Sequence, residues 1–198
     1  MRRRAELEDQ TRLRITASAV ELHEELGPAQ TSITAIADRA GVRRSTVYRH
    51  FPDEESLFAA CSAHWRAANP PPDPASWSSI RDAHERTRTA IRALYAFYDD
   101  TEGMYTSLLR DAPLVPAVAR RLEDFYGYLD SIREGLAAGR GLRGGRARRT
   151  RAAIGHAVAF PTWRSLTRDE GLSNEDAADL MSRFVAGSAG VPTGGSAR

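Results

Sequence analysis

Residues 41–58 read GVRRSTVYRHFPDEESLF. The chemistry reverses halfway: Arg43, Arg44 and Arg49 stand among hydroxyls, a tyrosine and His50, and after Phe51 and Pro52 come Asp53, Glu54 and Glu55. Local rules account for the reversal. Gly41 can take the left-handed conformation that ends one helix, and Pro52 stops the next. Asp53 can cap a third, whose first turn favours negative charge because its unpaired N–H groups point that way. The stretch therefore predicts a short basic helix at about 44–50 and a longer acid-capped one at about 54–67, with Leu57, Phe58, Cys61 and Trp65 on one face.

Upstream, Ser32 is an N-cap for a helix at 33–40 (ITAIADRA). A first helix covers roughly 5–26, with Leu13, Ile15, Ala19, Leu22 and Leu26 as its apolar side and Gly27-Pro28 as its stop. Downstream, Asn69-Pro70-Pro71-Pro72-Asp73-Pro74 cannot be helical and marks a boundary. Beyond it the apolar spacing predicts helices near 79–100, 103–110, 114–138, 147–168 and 174–186. In 114–138, Val115, Val118, Leu122, Phe125, Leu129 and Ile132 recur three and four apart, the seam of a packed bundle. No run of alternating β-branched residues is present, so the expected fold is all-α with about nine helices. The expected organisation is a domain at 5–68, a Pro-rich connection at 69–78, a second domain at 79–187, and a small, polar, disordered tail at 188–198.

The 198 residues carry a net charge of only +2, so any basic surface must be local. Every one of the 28 basic residues is arginine, whose planar fork suits bidentate recognition. Cys61 is the single cysteine and has no partner for an internal disulfide. Arg2-Arg3-Arg4 is followed by AELEDQTRLR rather than an apolar run, and no window approaches the length of a membrane span. These features predict a cytoplasmic protein without a membrane segment.

Two short helices joined by a tight turn at Gly41 have the form of a helix-turn-helix. Helices this short are marginal alone, so they must pack on the first helix through Ile33, Ile36, Ala37, Ala40, Val42, Val47 and Phe51. That packing leaves Arg44, Ser45, Thr46, Tyr48, Arg49 and His50 to face outward or frame the helix. An arginine there can grip a guanine and a threonine methyl can meet thymine, while hydroxyls donate to phosphates and set register. Double-stranded DNA is the implied partner.

The stretches 11-TRLRITASAVELHEELG-27, 32-SITAIADRAGV-42 and 46-TVYRHFPDEESLF-58 resemble the TetR family of bacterial transcriptional repressors. The resemblance covers about the first third of the chain. It implies a three-helix DNA-binding unit with its motif at about 32–51, followed by a helical bundle that dimerises and binds a small effector. It also adds Thr34 and Arg43 to the DNA-binding set. The sequence departs from the family pattern in four places: His23 stands where a Phe usually packs, Arg43 where a Ser, Thr or Asn cap is common, Thr34 at a frequently basic position, and Glu54 where a lysine often reaches a phosphate. Glu54 is therefore left out of the DNA-binding set.

In the second domain, Trp65, Tyr95, Tyr98, Met104, Tyr105, Phe125, Tyr126 and Leu129 are the candidate walls of a pocket for a small apolar or aromatic effector. Phe160, Trp163, Leu180, Met181 and Phe184 are the candidate contacts of a homodimer. The segment 139-GRGLRG-144 spells GxGxxG but follows a helix rather than a strand, so it reads as an interhelical loop. Cys61 and His64 stand three apart without further ligands nearby, and no nucleophile–base set or paired carboxylates occur at interpretable spacing. No cofactor, metal or catalytic residue is expected. The reading is a sequence-specific, effector-released regulator. A small helical enzyme on an apolar substrate and an architectural DNA protein without effector are the alternatives.

Overall fold

The computed structural model describes residues 2–190, and all regular structure among them is helical. The helices are α1 (Arg2–Glu25), α2 (Ile33–Ala40), α3 (Arg44–His50), α4 (Glu54–Ala68), α5 (Ala75–Ser78), α6 (Ala83–Asp111), α7 (Pro116–Ala137), α8 (Gly144–Ala157), α9 (Phe160–Arg164) and α10 (Asn174–Ser188). A 3-10 turn covers Pro28–Gln30 and a π-helical turn Ser165–Asp169. The expected tail at 188–198 falls outside the described residues beyond Gly190. No described helix is long and apolar enough to cross a membrane.

The chain forms two compact units that are not consecutive in sequence. The first takes the residues up to Pro70 together with Thr101–Phe125, and the second takes Pro71–Asp100 together with the residues from Tyr126 onward.

In the first unit, Ile15, Ala19 and Leu22 of α1 meet Ile36, Ala37 and Ala40 of α2, Val47 of α3, Phe51, and Leu57 and Cys61 of α4. Leu13 and Leu26, expected on the apolar side of α1, are 59% and 45% exposed. Leu13 lies on the opposite side of the helix from the stripe that the 3.6-residue period carries inward at Ile15, Ala19 and Leu22, and Leu26, though in register with that stripe, comes after the last residue of α1. The Cys61 thiol is buried, its sulfur 3.9 Å from the Thr16 carbonyl, and burial pushes its pKa up to about 12; it is a packing group, with His64 exposed beside it.

His23 is also buried and stacks on Phe58 with ring centroids 5.0 Å apart and planes 11° from parallel. Burial lowers its pKa to about 4, partly offset by the field of Asp111. Asp111 is buried at the end of α6, where it accepts the Ala29 N–H at 3.0 Å and pairs with Arg110. Arg110 in turn donates to the Leu26 carbonyl at 2.9 Å. Gly27, between those two anchor points, has φ 90° and ψ 156°, a region open essentially to glycine alone. A Cβ there would overlap Arg110 Nη2 and Asp111 Oδ2. The turn between α1 and Pro28 thus exists because glycine leaves room for a carboxylate and a guanidinium.

Two expected helices differ in the structure. The segments expected at 79–100 and 103–110 are one helix, α6, that begins after Asp82 accepts the Glu85 N–H at 2.7 Å. Gly103 lowers helix propensity but neither blocks the backbone nor removes a donor, so it does not stop the helix. Conversely, the helix expected at 147–168 is broken after Ala157. Pro161 has no N–H for the Ala157 carbonyl four residues back, and the buried Tyr95 hydroxyl donates to that carbonyl instead at 2.9 Å. Tyr98 does the same for Val158 at 2.6 Å. Around this break Tyr98, Phe160 and Trp163 pack edge to face or tilted, and the Trp163 indole donates to Asn174 at 2.8 Å.

Two stability outcomes follow from the first unit. A histidine whose folded pKa is depressed stabilises the fold at neutral pH and loses that stability as pH falls, because the unfolded chain takes up the proton first. The loss between pH about 6.5 and about 4 is on the order of 3 kcal/mol; in urea unfolding across that range, His23→Phe should have a clearly flatter pH dependence than the parent, and an unchanged slope would assign the acid sensitivity elsewhere. Gly27→Ala should cost about 1–3 kcal/mol in the same assay at pH 7, from backbone strain and displacement of Asp111.

Candidate nucleic-acid interface

The helix-turn-helix is built by local chemistry. Ser32 accepts the Ala35 N–H at 3.1 Å and so starts α2. Gly41 ends it at φ 63°, with Val42 N–H bonded to the Ala37 carbonyl at 2.9 Å and Gly41 N–H to Asp38 at 3.2 Å, the paired closing bonds of a Schellman turn. Arg43 precedes α3 in extended conformation without a side-chain cap. Val47 points wholly inward, and Arg43, Arg44, Ser45, Tyr48 and Arg49 are exposed, as is Thr34 at the start of α2. Tyr48 is 48% exposed, which leaves its phenol free to reach a backbone. An α-helix with its side chains is ~10–12 Å across, which matches a major groove ~12 Å wide, and the seven residues of α3 span ~10 Å along it.

Thr46 and His50 are half-buried. The His50 Nε2 is closed off from solvent without a bonding partner, so of the expected outward set His50 turns its ring toward the protein. Its carbonyl accepts Arg12 Nη1 of α1 at 2.7 Å, while the Arg12 guanidinium lies 4.2 Å from the Phe51 ring centroid. Arg12 therefore caps the end of α3 with a cation, which helix polarity favours, and clamps it to α1. Reading the sequence missed Arg12, because a contact across 38 positions leaves no local trace.

The charges are sorted. Arg39, on α2, is held by Glu25 in a two-bond fork at 2.8 and 2.7 Å and by Glu21 at 3.3 Å, and that bond holds the Glu25 carboxyl below its usual range. Arg43, Arg44 and Arg49 have no ion pair among the described residues. The acids that follow are occupied on their own side: Asp53 accepts the Ser56 N–H at 2.7 Å, which keeps its pKa low, and Glu55 pairs with Arg120 and Arg121. Glu54 is exposed. The acidic half of the opening stretch thus starts α4 and ties it to α7 within the same unit, leaving the cations of α3 unneutralised.

The other candidate groups fall differently. Tyr95, Tyr98, Met104 and Tyr105 are buried, and the first two donate their hydroxyls to carbonyls. Trp65, Phe125 and Leu129 are half-buried and Tyr126 is exposed. Trp65 meets Tyr105 edge-on at 5.7 Å, and Tyr105 meets Phe125 at 4.4 Å. Of the expected dimer contacts, Phe160, Trp163 and Met181 are buried inside the second unit. Leu180 and Phe184 are 45% and 48% exposed.

A short helix held by two others, with unpaired arginines on its outer side, defines a helix-turn-helix DNA-binding unit. Residues 15–61 match the family of bacterial regulatory proteins named tetR, so the amino-terminal unit is that of the TetR family. Proteins of this family are DNA-binding transcriptional regulators, usually repressors. Among solved structures, a protein from Mesorhizobium loti MAFF303099 assigned to TetR-family transcriptional regulators is 19% identical, with 91% of this chain and 96% of that chain covered and a TM-score of 0.59. A TetR-like transcriptional regulator from Rhodococcus sp. RHA1 is 17% identical over 89% of this chain and 94% of that one, with a TM-score of 0.62. The multidrug binding protein EbrR, in complex with imidazole, is 21% identical over 93% and 92%, with a TM-score of 0.56. Identities at this level establish a shared fold. No curated protein matches the sequence.

Arg44→Ala and Arg49→Ala should each weaken DNA binding, by on the order of 1–3 kcal/mol if the arginine reads a base. If it contacts a phosphate, the loss should instead be uniform across sequences, with a salt slope lower by about one. Titrations at several salt concentrations separate the two.

Proposed function

We propose that this chain is a sequence-specific DNA-binding transcriptional regulator, acting as a homodimeric repressor that a small effector releases from a near-palindromic operator. The observation that carries the reading is the exposure of Arg43, Arg44 and Arg49 around α3 without carboxylate partners, beside an α2 arginine that is fully paired. In this reading residues 5–68 form the DNA-binding domain, 69–78 the connection, and 79–187 the effector-binding and dimerising domain. Arg43, Arg44, Ser45, Tyr48, Arg49 and Thr34 touch DNA, with Thr46 at the margin. A two-fold dimer presents its recognition helices to successive major grooves, which makes the operator a near-palindrome.

Leu180 and Phe184 are the proposed apolar contacts between protomers. They lie four apart on α10, hence on one helical face, and Phe184 packs edge-on to His156 of α8 at 6.1 Å. Small-molecule control is proposed by likeness to the neighbour that binds multiple drugs. An effector that favours the state with lower DNA affinity must, by linkage, bind more weakly when DNA is present by the same factor. The protein acts where its DNA is, in the cytoplasm.

Selection of bound sequences from random duplexes tests the central claim. A palindromic consensus is the expected outcome; unrelated sequences would indicate an architectural DNA protein, and no retained DNA would return the small helical enzyme as the better reading. Phe184→Asp should shift the protein from dimer to monomer in sedimentation at micromolar concentration, and a persistent dimer would place the interface elsewhere.

A further inference from the structure

Within the second unit, a cavity of about 260 Å³ opens between α5, the start of α6 and the end of α7. Pro74, Trp77 and Ile132 form an apolar wall, Ser131 stands at its edge, and Arg86 is its one charged lining residue. None of the aromatic residues read from the sequence as pocket walls lines it. Its volume lies just below the ~300–1,000 Å³ of pockets for drug-sized ligands, so it fits a molecule of one or two rings.

The charge at this wall is uncompensated. Arg86 donates through Nη1 to the Ile80 carbonyl at 2.9 Å and through Nη2 to the Ala138 carbonyl at 3.0 Å. Its Nε is shut off from solvent and has no acceptor, and no carboxylate lies within ion-pair distance among the described residues. A guanidinium carries five N–H donors, so most of this one's capacity is unspent. Arg140 adds a second cation, donating to the carbonyls of Leu136 at 2.7 Å and Ala83 at 3.0 Å and to the Thr87 hydroxyl, again without a carboxylate. Burial and the charge of Arg86 hold Arg140 below its ordinary pKa range, which marks the two guanidiniums as close neighbours. Two half-buried cations whose side-chain bonds go only to neutral acceptors stand there against the field of one carboxylate, Asp82, which partly offsets the shift of Arg140; that leaves a deficit of negative charge, which a bidentate carboxylate fills best.

We propose that this cavity binds a small apolar carboxylic acid, its ring or chain against Trp77 and Ile132 and its carboxylate on Arg86. The proposal deepens the effector reading and rests on it for any regulatory consequence, while the binding itself does not depend on DNA. Isothermal titration of the full chain with 2-naphthoate and with the neutral 2-naphthamide tests it. Saturable binding of one naphthoate per chain is expected, with the amide at least tenfold weaker. Arg86→Gln should weaken naphthoate binding at least tenfold.

Arg86 also pins two carbonyls, so a second variant leaves it untouched. Gly135 lines the cavity from within α7, and a Cβ there meets nothing within 4 Å. Gly135→Leu therefore keeps the helix and fills the space, and it should abolish binding. Equal binding of acid and amide, full binding by Gly135→Leu, or no binding of naphthoate at millimolar concentration would each overturn the proposal. An operator selected without any acid binding sinks this inference alone. Acid binding without an operator leaves it standing and sinks the DNA-binding reading.

Discussion

A single buried carboxylate holds the DNA-binding unit together at its least regular point. Asp111 terminates α6, receives the Ala29 N–H and neutralises Arg110, which reaches the carbonyl end of α1. Burying a carboxylate is costly unless it is paired and hydrogen-bonded, and here it is both. The arrangement demands the backbone of Gly27, because any side chain at that position occupies the space of the carboxylate. The consequence reaches the whole unit. A helix-turn-helix assembled from the first seventy residues would leave the turn after α1 without its anchor; the residues from Thr101 to Phe125 complete the unit instead. His23 lies within the field of the same carboxylate, neutral and stacked on Phe58. Its substitution for a fully apolar ring makes this core sensitive to acid.

The second organising principle is the distribution of arginine. With no lysine in the chain, each cation has a planar fork, and several of those away from α3 are closed on carboxylates: Arg39 on Glu21 and Glu25, Arg120 and Arg121 on Glu55, Arg92 on Glu175, Arg151 on Glu134, Arg168 on Asp99. Exposed pairs of this kind add little stability. What they do is silence charge over part of the surface, while Arg43, Arg44 and Arg49, like Arg143, Arg146, Arg148 and Arg149 around the start of α8, stay exposed without an ion pair among the described residues, in a protein of net charge +2. Binding to a polyanion then depends on where cations are left open rather than on how many there are.

Much of the amino-terminal unit was legible in the sequence because its instructions are local. Ser32, Gly41 and Asp53 set helix limits through bonds to residues within four positions, and the observed spans of α2 and α3 follow those signals. The rest of the chain was less legible for a physical reason. The break expected between the helices near 79–100 and 103–110 never forms: α6 runs through it, and the Gly103 within it weakens a helix without forbidding it. Pro161 was passed over as the real break, and its effect became stable only because Tyr95 and Tyr98, some sixty positions earlier, supply the hydroxyls that the interrupted backbone lacks. Phe160 and Trp163 read as surface contacts from their apolar character, but the break folds them inward around Tyr98.

By itself, then, the sequence determined the helical class, the short helices around Gly41 and the capping acids after Pro52, because caps, stops and periodicity act over one or two turns of chain. Only the tertiary structure decided which arginines remain unpaired, that Arg12 rather than a local group closes α3, and that His50 turns away from the binding face. It alone brought Arg86 and Arg140 together beside an apolar cavity. Those outcomes are contacts between residues tens of positions apart. Side-chain reach and burial select them, and neither is written in the spacing of any one segment.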